Sequence, residues 1–250
     1  MTPSDPTPPE QEFGHIKALE LKRLTNRGAM KPLLCRGDDG CHYILKPFSS
    51  GQTWPLVMEW ICARLGRELA LPIPNYRQIF VSEDLAEEWN AFSERKIEPG
   101  IGFGSQQVAS AMEFEISLGE SVPQDLRQRV LAFDWWIRNH DRSEKNPNLL
   151  WSADTRQLHV IDHDQAGHVE GAAVFWGTHL FKALAPAEAE WLPPALAADF
   201  AAAASRLLPS PVLSELPSEW TTGLDGIDWL IRQLNQSPHD SSHRDWRNHD

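Results

Sequence analysis

Apolar and polar positions alternate along HIKALELKRL, then gather into two short apolar runs, PLLC and HYILKPF, on either side of GDDG. Strict alternation is the period of a strand with one buried face. Gly and Asp between two apolar runs mark a hairpin turn. YRQIFV adds another strand, so the chain from about Phe13 to Ser82 reads as a small sheet with one helix against it. In that helix, WPLVMEWICARLGREL, residues Leu56, Val57, Trp60, Ile61 and Leu65 recur at helical spacing, and LPIP stops it. The next segment, LAEEWNAFSERKIEPGIGFGSQQVASAM, shows neither period cleanly. Its glycines read as a connection into or out of a strand near Phe103 to Val108.

From Pro123 onward the pattern is helical. PQDLRQRVLAFDWWIRN places Leu126, Val130, Leu131, Phe133, Trp136 and Ile137 on one broad apolar face, with Pro near its start. Further helices are predicted around Ala187 to Leu208 and Gly226 to Asn235. Between the helix ending near Asn139 and these later ones, NLLW and QLHVI flank SADTR, which reads as a hairpin whose second strand ends at Asp162. The polar segments Met1 to Glu12 and Gln236 to Asp250 lack apolar surface to bury and read as a disordered lead-in and tail. The predicted fold class is α+β and two-lobed: a small strand-rich N-terminal lobe over about 13–110, a helical C-terminal lobe over about 111–235, and a ligand cleft between them.

Composition narrows the functions. The 250 residues are 41 % hydrophobic, enough to enclose a core. The formal charge of -12 argues against the broad basic face that nucleic acid or an anionic membrane requires, so neither is expected as a direct partner. Cys35, Cys41 and Cys62 form no CxxC pair, which disfavours a disulfide framework or cysteine-rich zinc site. The N-terminus has no basic and apolar leader pattern, and no run reaches the roughly 18 apolar residues of a membrane span. A cytoplasmic protein is expected. The eleven tryptophans read as packing, not as a base-stacking platform.

Against this background NHDRSEKN stands out. Asp141 and Asn146 have the D-x-x-x-x-N spacing of a kinase catalytic loop, which presents a base and a metal ligand together. A hairpin folding back after Asn146 returns Asp162 to the same end. Carboxylates and amide oxygens are the hard ligands that Mg²⁺ prefers, so Asn146 and Asp162 are the predicted metal ligands and Asp141 the predicted catalytic base. Lys46, at the end of an alternating strand, can face the cleft and contact phosphates. Glu59 in the following helix is its predicted partner, with Glu68 the alternative. Arg27, Gly28 and Lys31 in TNRGAMKP are candidates for covering phosphates. GIGFGS does not stand between a strand and a helix N-terminus as a phosphate loop would, and reads as a lobe connection. Zinc is disfavoured because His140, His159, His163 and His168 do not fall on one helical face; His140 is expected to position the loop.

The ordered series PLLC, HYILKPF, the Glu-containing helix, LPIP, GFGS, FDWWIRNHDRSEKNPNLL and LHVIDHDQA resembles the HipA-like kinase family, particularly its short single-domain members, over roughly Phe13 to Gly167. The resemblance implies a kinase domain over 13–235, with a protein-kinase-like fold related to phosphatidylinositol kinases. It also implies ATP and Mg²⁺ in the cleft. Lys46 would then hold ATP phosphates, Asp141 would be the catalytic Asp, and Asn146 and Asp162 would bind Mg²⁺. Two departures stand in the chain: NRGAM replaces a glycine- and serine-rich stretch, and Asp162-His163-Asp164 replaces the common I-D-H-G ending. Asp164 reads as a surface turn residue, or else as an alternate metal ligand. The lead-in leaves no room for the extra N-terminal subdomain of full-length HipA toxins, so an antitoxin partner is not assumed. The expected activity is phosphoryl transfer to a hydroxyl of a protein or small molecule. The alternatives are a nucleotide-binding pseudokinase and, third, a metal-dependent phosphoesterase using His140, Asp141, Asp162, His163 and Asp164.

Overall fold

A computed structural model describes residues 15–23, 33–167, 172–184, 194–222 and 227–235. The lead-in, the tail, His168 and the turn carrying Arg27, Gly28 and Lys31 lie outside the described residues. The fold is mixed α+β. Its first part is a closed five-stranded barrel of β1 (Ile16–Arg23), β2 (Leu33–Gly37), β3 (His42–Lys46), β4 (Tyr76–Val81) and β5 (Gly100–Gln106), in the order β1-β2-β3-β5-β4. The predicted hairpin is β2–β3: Gly40 takes a φ of 81° in the turn, and Asp39 Oδ1 accepts a hydrogen bond from the Cys41 backbone N–H (3.0 Å).

The glycine-rich segment predicted as a connection is strand β5 itself. A Cβ at Gly104 would stand 2.1 Å from Ile79 Cδ1, and one at Gly102 would stand 2.5 Å from the Lys46 carbonyl oxygen. The glycines let β5 lie close against its neighbours, with Phe103 in register with Lys46. Leu33, Cys35, Leu45, Ile79 and Val81 fill the barrel core, joined by Ala86 and Trp89.

Helix α1 (Trp54–Glu68) forms as its apolar spacing predicts and buries almost its whole length. Helix α2 (Glu83–Phe92) occupies the segment whose period was unclear. Its buried face contains only Ala86 and Trp89, too few positions to show a helical repeat, but Ser82 caps it by accepting the Leu85 N–H (3.3 Å). Helix α3 (Gln124–Trp136) follows a short 3₁₀ segment, Ile116–Ser121. A separate three-stranded sheet holds β6 (Ala111–Glu113), β7 (Leu149–Ser152) and β8 (Gln157–Val160), with β7 central. Its β7–β8 pair is the predicted hairpin, ending two residues before Asp162.

The remaining helices are α4 (Ala172–Thr178), α5 (Pro194–Leu207), α6 (Val212–Glu215), α7 (Ser218–Thr221) and α8 (Ile227–Asn235). The larger core joins α1, α3, the β7–β8 hairpin and α5. Its tryptophans pack as expected and also tie elements together through their indole N–H groups. Trp60 donates to Glu215 Oε2 (2.9 Å), Trp136 to the Leu234 carbonyl (3.1 Å) and Trp220 to the Ile101 carbonyl (2.6 Å).

Candidate active site

Lys46 is the last residue of β3, and its ammonium is almost wholly buried. Nζ donates to Glu59 Oε1 (2.6 Å), Asp162 Oδ1 (2.6 Å) and Asp164 Oδ2 (2.7 Å). Burial alone would favour the neutral amine, but the three carboxylates outweigh it and hold the ammonium well above the ordinary lysine range. Glu59 rises from the buried face of α1. Burial would raise its carboxyl, yet Lys46 and the nearby His163 bring it down to about 2. His163 Nδ1 lies 3.5 Å from Glu59 Oε2. Glu68, the alternative partner, instead pairs with Arg206 (2.7 Å).

Asp164 is not a surface turn residue: it is 5 % exposed and bound to Lys46. Its burial raises the carboxyl above the ordinary range, with Lys46 opposing and the Asp162 charge adding to the shift. Asp162 has a φ of 64°, a left-handed backbone uncommon outside glycine. The chain turns there after β8, and within three residues both carboxylates reach Lys46. Oxygen atoms of Glu59, Asp162 and Asp164 lie within 4.8 Å of one another. This donor set is all hard oxygen, the chemistry that suits Mg²⁺.

Asp141 lies on the loop between α3 and β7, bounded by left-handed backbone at Arg138 (φ 56°) and Asn148 (φ 47°). Asn146 Nδ2 (2.9 Å) and Asn148 Nδ2 (3.1 Å) both donate to Asp141 Oδ2. The structure therefore joins Asn146 to Asp141, whereas Asp162 is joined to Lys46. Both loops are nonetheless stitched together, since the Ile161 N–H bonds to the Asn148 carbonyl (3.2 Å).

Much of the stitching comes from residues the sequence reading passed over. Arg142, fully buried, donates through Nε to Asp134 Oδ2 (2.6 Å). Its Nη1 donates to the carbonyls of Pro147 (3.2 Å), Ile161 (3.2 Å) and Asn148. Asp134 also accepts from Asn139 Nδ2 (3.0 Å) and faces His179 Nε2 (3.0 Å). One guanidinium thus fixes α3, the Asp141 loop and the segment leading to Asp162. A signal was present: Asp134 interrupts the apolar stretch VLAFDWWI in the last turn of α3, where a carboxylate among apolar residues needs a buried partner. His140, expected to position the loop, packs its ring against Phe175 (5.9 Å between centroids).

A cavity of about 280 Å³ opens beside this cluster. Ile44, Phe103, Ala63, Leu150 and Val160 give it apolar walls drawn from β3, β5, α1 and the β7–β8 hairpin, while Lys46, Glu59 and Asp162 form a charged patch in its lining. An apolar pocket with a few convergent charged groups is the form of a small-molecule site.

A model of the HipA-like kinase family matches residues 18–238. The chain belongs to that family. Membership implies a kinase and agrees with the resemblance drawn from the motifs. No curated protein matches the chain. Among the described residues of this HipA-like kinase family member, no helix is long and apolar enough to cross a membrane.

Proposed function

We propose that the protein is an ATP- and Mg²⁺-dependent phosphotransferase that moves the γ-phosphoryl group of ATP to a hydroxyl of a protein Ser or Thr, or of a small molecule. One observation carries the reading: a buried lysine, fixed by a helix glutamate, meets Asp162 at the wall of an apolar cavity. The apolar walls suit a nucleobase, and Lys46 would hold the phosphates. Asp162 and Asn146 would hold Mg²⁺, and Asp164, with an oxygen within 4.8 Å of one on Asp162, would be a further ligand. Bound Mg²⁺ supplies charge neutralisation on the phosphates. Asn146 and Asn148 orient the Asp141 carboxylate, which would accept the proton of the attacking hydroxyl. In this reading residues 13–110 act as the nucleotide-holding lobe and 111–235 as the lobe carrying Asp141, Asn146 and Asp162.

Incubation with γ-labelled ATP and Mg²⁺, followed by mass spectrometry for autophosphorylation and for modified lysate proteins, tests the reading. Wild type should transfer label, and Asp141→Ala should transfer at least about 100-fold less. Equal transfer by both, above background, overturns the assignment of Asp141. The third carboxylate on Lys46 favours a second reading, a nucleotide-holding pseudokinase, because Asp164 competes with phosphate for the ammonium. Thermal stabilisation by Mg·ATP without ADP release would support it.

A further inference from the structure

We propose that Glu215 is a positioning residue for the phosphoryl-transfer site: by gripping Trp60 and Arg64 it sets how α1 is seated, and so where Glu59 holds Lys46. Its effect on turnover rests on the phosphotransferase reading above; its effect on Lys46 rests on packing alone.

Helix α1 presents two polar stripes, offset by one residue. Glu59 and Ala63, four positions apart, face the Lys46 cluster and line the cavity. Trp60, Arg64 and Glu68 recur at the same interval, about 100° further round the helix. The C-terminal part of the chain holds all three. Glu215 Oε2 accepts from the Trp60 indole N–H (2.9 Å), Glu215 Oε1 pairs with Arg64 Nη2 (3.0 Å), and Arg206 Nε donates to Glu68 Oε1 (2.7 Å). Neighbouring residues of one helix cannot turn independently, so the seating of the second stripe fixes the first.

The weight of this grip falls on Glu215. The Arg206 and Glu68 side chains are 56 % and 34 % exposed, where an ion pair contributes little. The Glu215 side chain is 3 % exposed, and a buried carboxylate deprived of a partner is left uncompensated. Apolar contact already closes the joint, since Trp60 meets Trp220 edge to face (6.4 Å between centroids). What the carboxylate adds is direction: two oxygens on donors one turn apart fix both the rotation and the axial position of α1. The same segment is tied to the barrel. The Glu215 carbonyl accepts from Gln78 Nε2 on β4 (2.6 Å). Trp220 donates to the Ile101 carbonyl and Glu219 Oε1 accepts the Ile101 N–H (2.8 Å), two positions before Phe103, the register partner of Lys46. Glu215 thus seats α1 against the strand that pairs with the end of β3.

A double-mutant cycle on the full chain tests this. Glu215→Gln keeps an acceptor for Trp60 and removes the charge facing Arg64; it should lower kcat/KM for ATP about tenfold, and Glu215→Ala further. In a Glu59→Gln background the same substitutions should lower it less than about twofold, because the group they act through is already lost, while their shifts in urea midpoint are the same in both backgrounds. Equal fold losses in the two backgrounds would make Glu215 purely structural and overturn the proposal, as would an unchanged kcat/KM in both Glu215 variants. A second readout needs no turnover. Acylation of Lys46 by acetic anhydride without ATP, measured by mass spectrometry against the exposed Lys22, should be several-fold faster in folded Glu215→Gln than in wild type, as the ammonium loses burial and a partner. Faster acylation in a protein that transfers no phosphate would uphold the positioning and refute the phosphotransferase reading. Phosphate transfer and Lys46 acylation both untouched by the Glu215 substitutions would do the reverse.

Discussion

Asp134 and Lys46 each sit at the centre of a buried ion cluster, but the balance of charge is reversed between them. Asp134 is one carboxylate met by one guanidinium, an amide and an imidazole, and both Asp134 and Arg142 have no solvent exposure. Lys46 is one ammonium met by three carboxylates, of which the Asp162 side chain remains 35 % exposed beside the cavity. In the first cluster burial and the Arg142 charge oppose each other, and Arg142 prevails, holding Asp134 well below the usual carboxylate range. In the second, Lys46 and His163 overcome burial at Glu59 and push it down, whereas at Asp164 burial, with the Asp162 and Glu59 charges adding to it, outweighs Lys46 and pushes it up. A balanced, sealed cluster fixes architecture. An anion-rich cluster beside a cavity retains a demand for a further cation.

Removing one centre from each cluster separates these roles. Arg142→Ala leaves Asp134 as a buried, uncompensated charge and frees three backbone carbonyls. It should lower unfolding free energy by about 3–5 kcal/mol in urea titrations, and Mg²⁺ should raise variant and wild type alike without closing the gap between them. A loss under about 1 kcal/mol would show that the cluster is not holding the loop. Lys46→Met should reduce phosphotransfer about 100- to 1,000-fold but cost less stability, because its carboxylates lie beside a cavity and can take up a proton or cation. Mg²⁺ at ten times its Kd should then restore about 1.4 kcal/mol to this variant. If Mg²⁺ stabilises Lys46→Met no more than Arg142→Ala, the two clusters do not differ as described.

The placement of Lys46, Glu59, Asp141, Asn146 and Asp162, as distinct from their roles, is legible because each stands at a recognisable place in a local pattern: a strand end, a helix face, a loop spacing, a hairpin return. The structure brings Lys46 to Glu59 and Asp162, and Asn146 to Asp141. What stayed hidden depends on distant partners. Asp164 reads as a turn residue until the fold carries it to Lys46, 118 positions earlier, and His179 meets Asp134 across 45 positions. The glycines of β5 were misread for a related reason, since their function is to leave space for Ile79 and the Lys46 backbone on neighbouring strands. Local periodicity reports which face of an element is buried and says nothing of which element covers it.

His179 gives the balanced cluster a pH signature. The Phe181 N–H donates to Nδ1 (3.0 Å), so Nδ1 is an acceptor and the neutral ring carries its proton on Nε2, directed at Asp134. Burial lowers the His179 pKa, against the pull of Asp134. The unfolded chain therefore binds a proton first as pH falls. Stability from this group is complete above its unfolded value of about 6.5 and is lost as pH drops toward the lowered folded value. Asp134, also lowered, begins to contribute its own loss only below about 3.8. Urea titrations from pH 7 to 5 should show wild type losing about 1 kcal/mol more than His179→Gln. Parallel curves would mean that His179 is not held neutral.

The smallest effect lies in the anion-rich cluster, at Asp164. A carboxyl raised in the folded state is one whose ionised form is disfavoured there, so stability is lost as pH rises through the raised value and regained below it. Asp164→Asn keeps an oxygen that can accept from Lys46 and removes the third negative charge, leaving Glu59 and Asp162 to hold the ammonium. At pH 7 the variant should be more stable than wild type by up to about 1 kcal/mol, and its gain from Mg²⁺ should be smaller. As pH falls and Asp164 takes up its proton, the two proteins carry near-isosteric neutral groups and their stabilities should converge. A variant less stable than wild type at pH 7 would mean that the Asp164–Lys46 pair is net favourable, and the surplus charge that distinguishes this cluster from the one around Asp134 would be fully met within the protein.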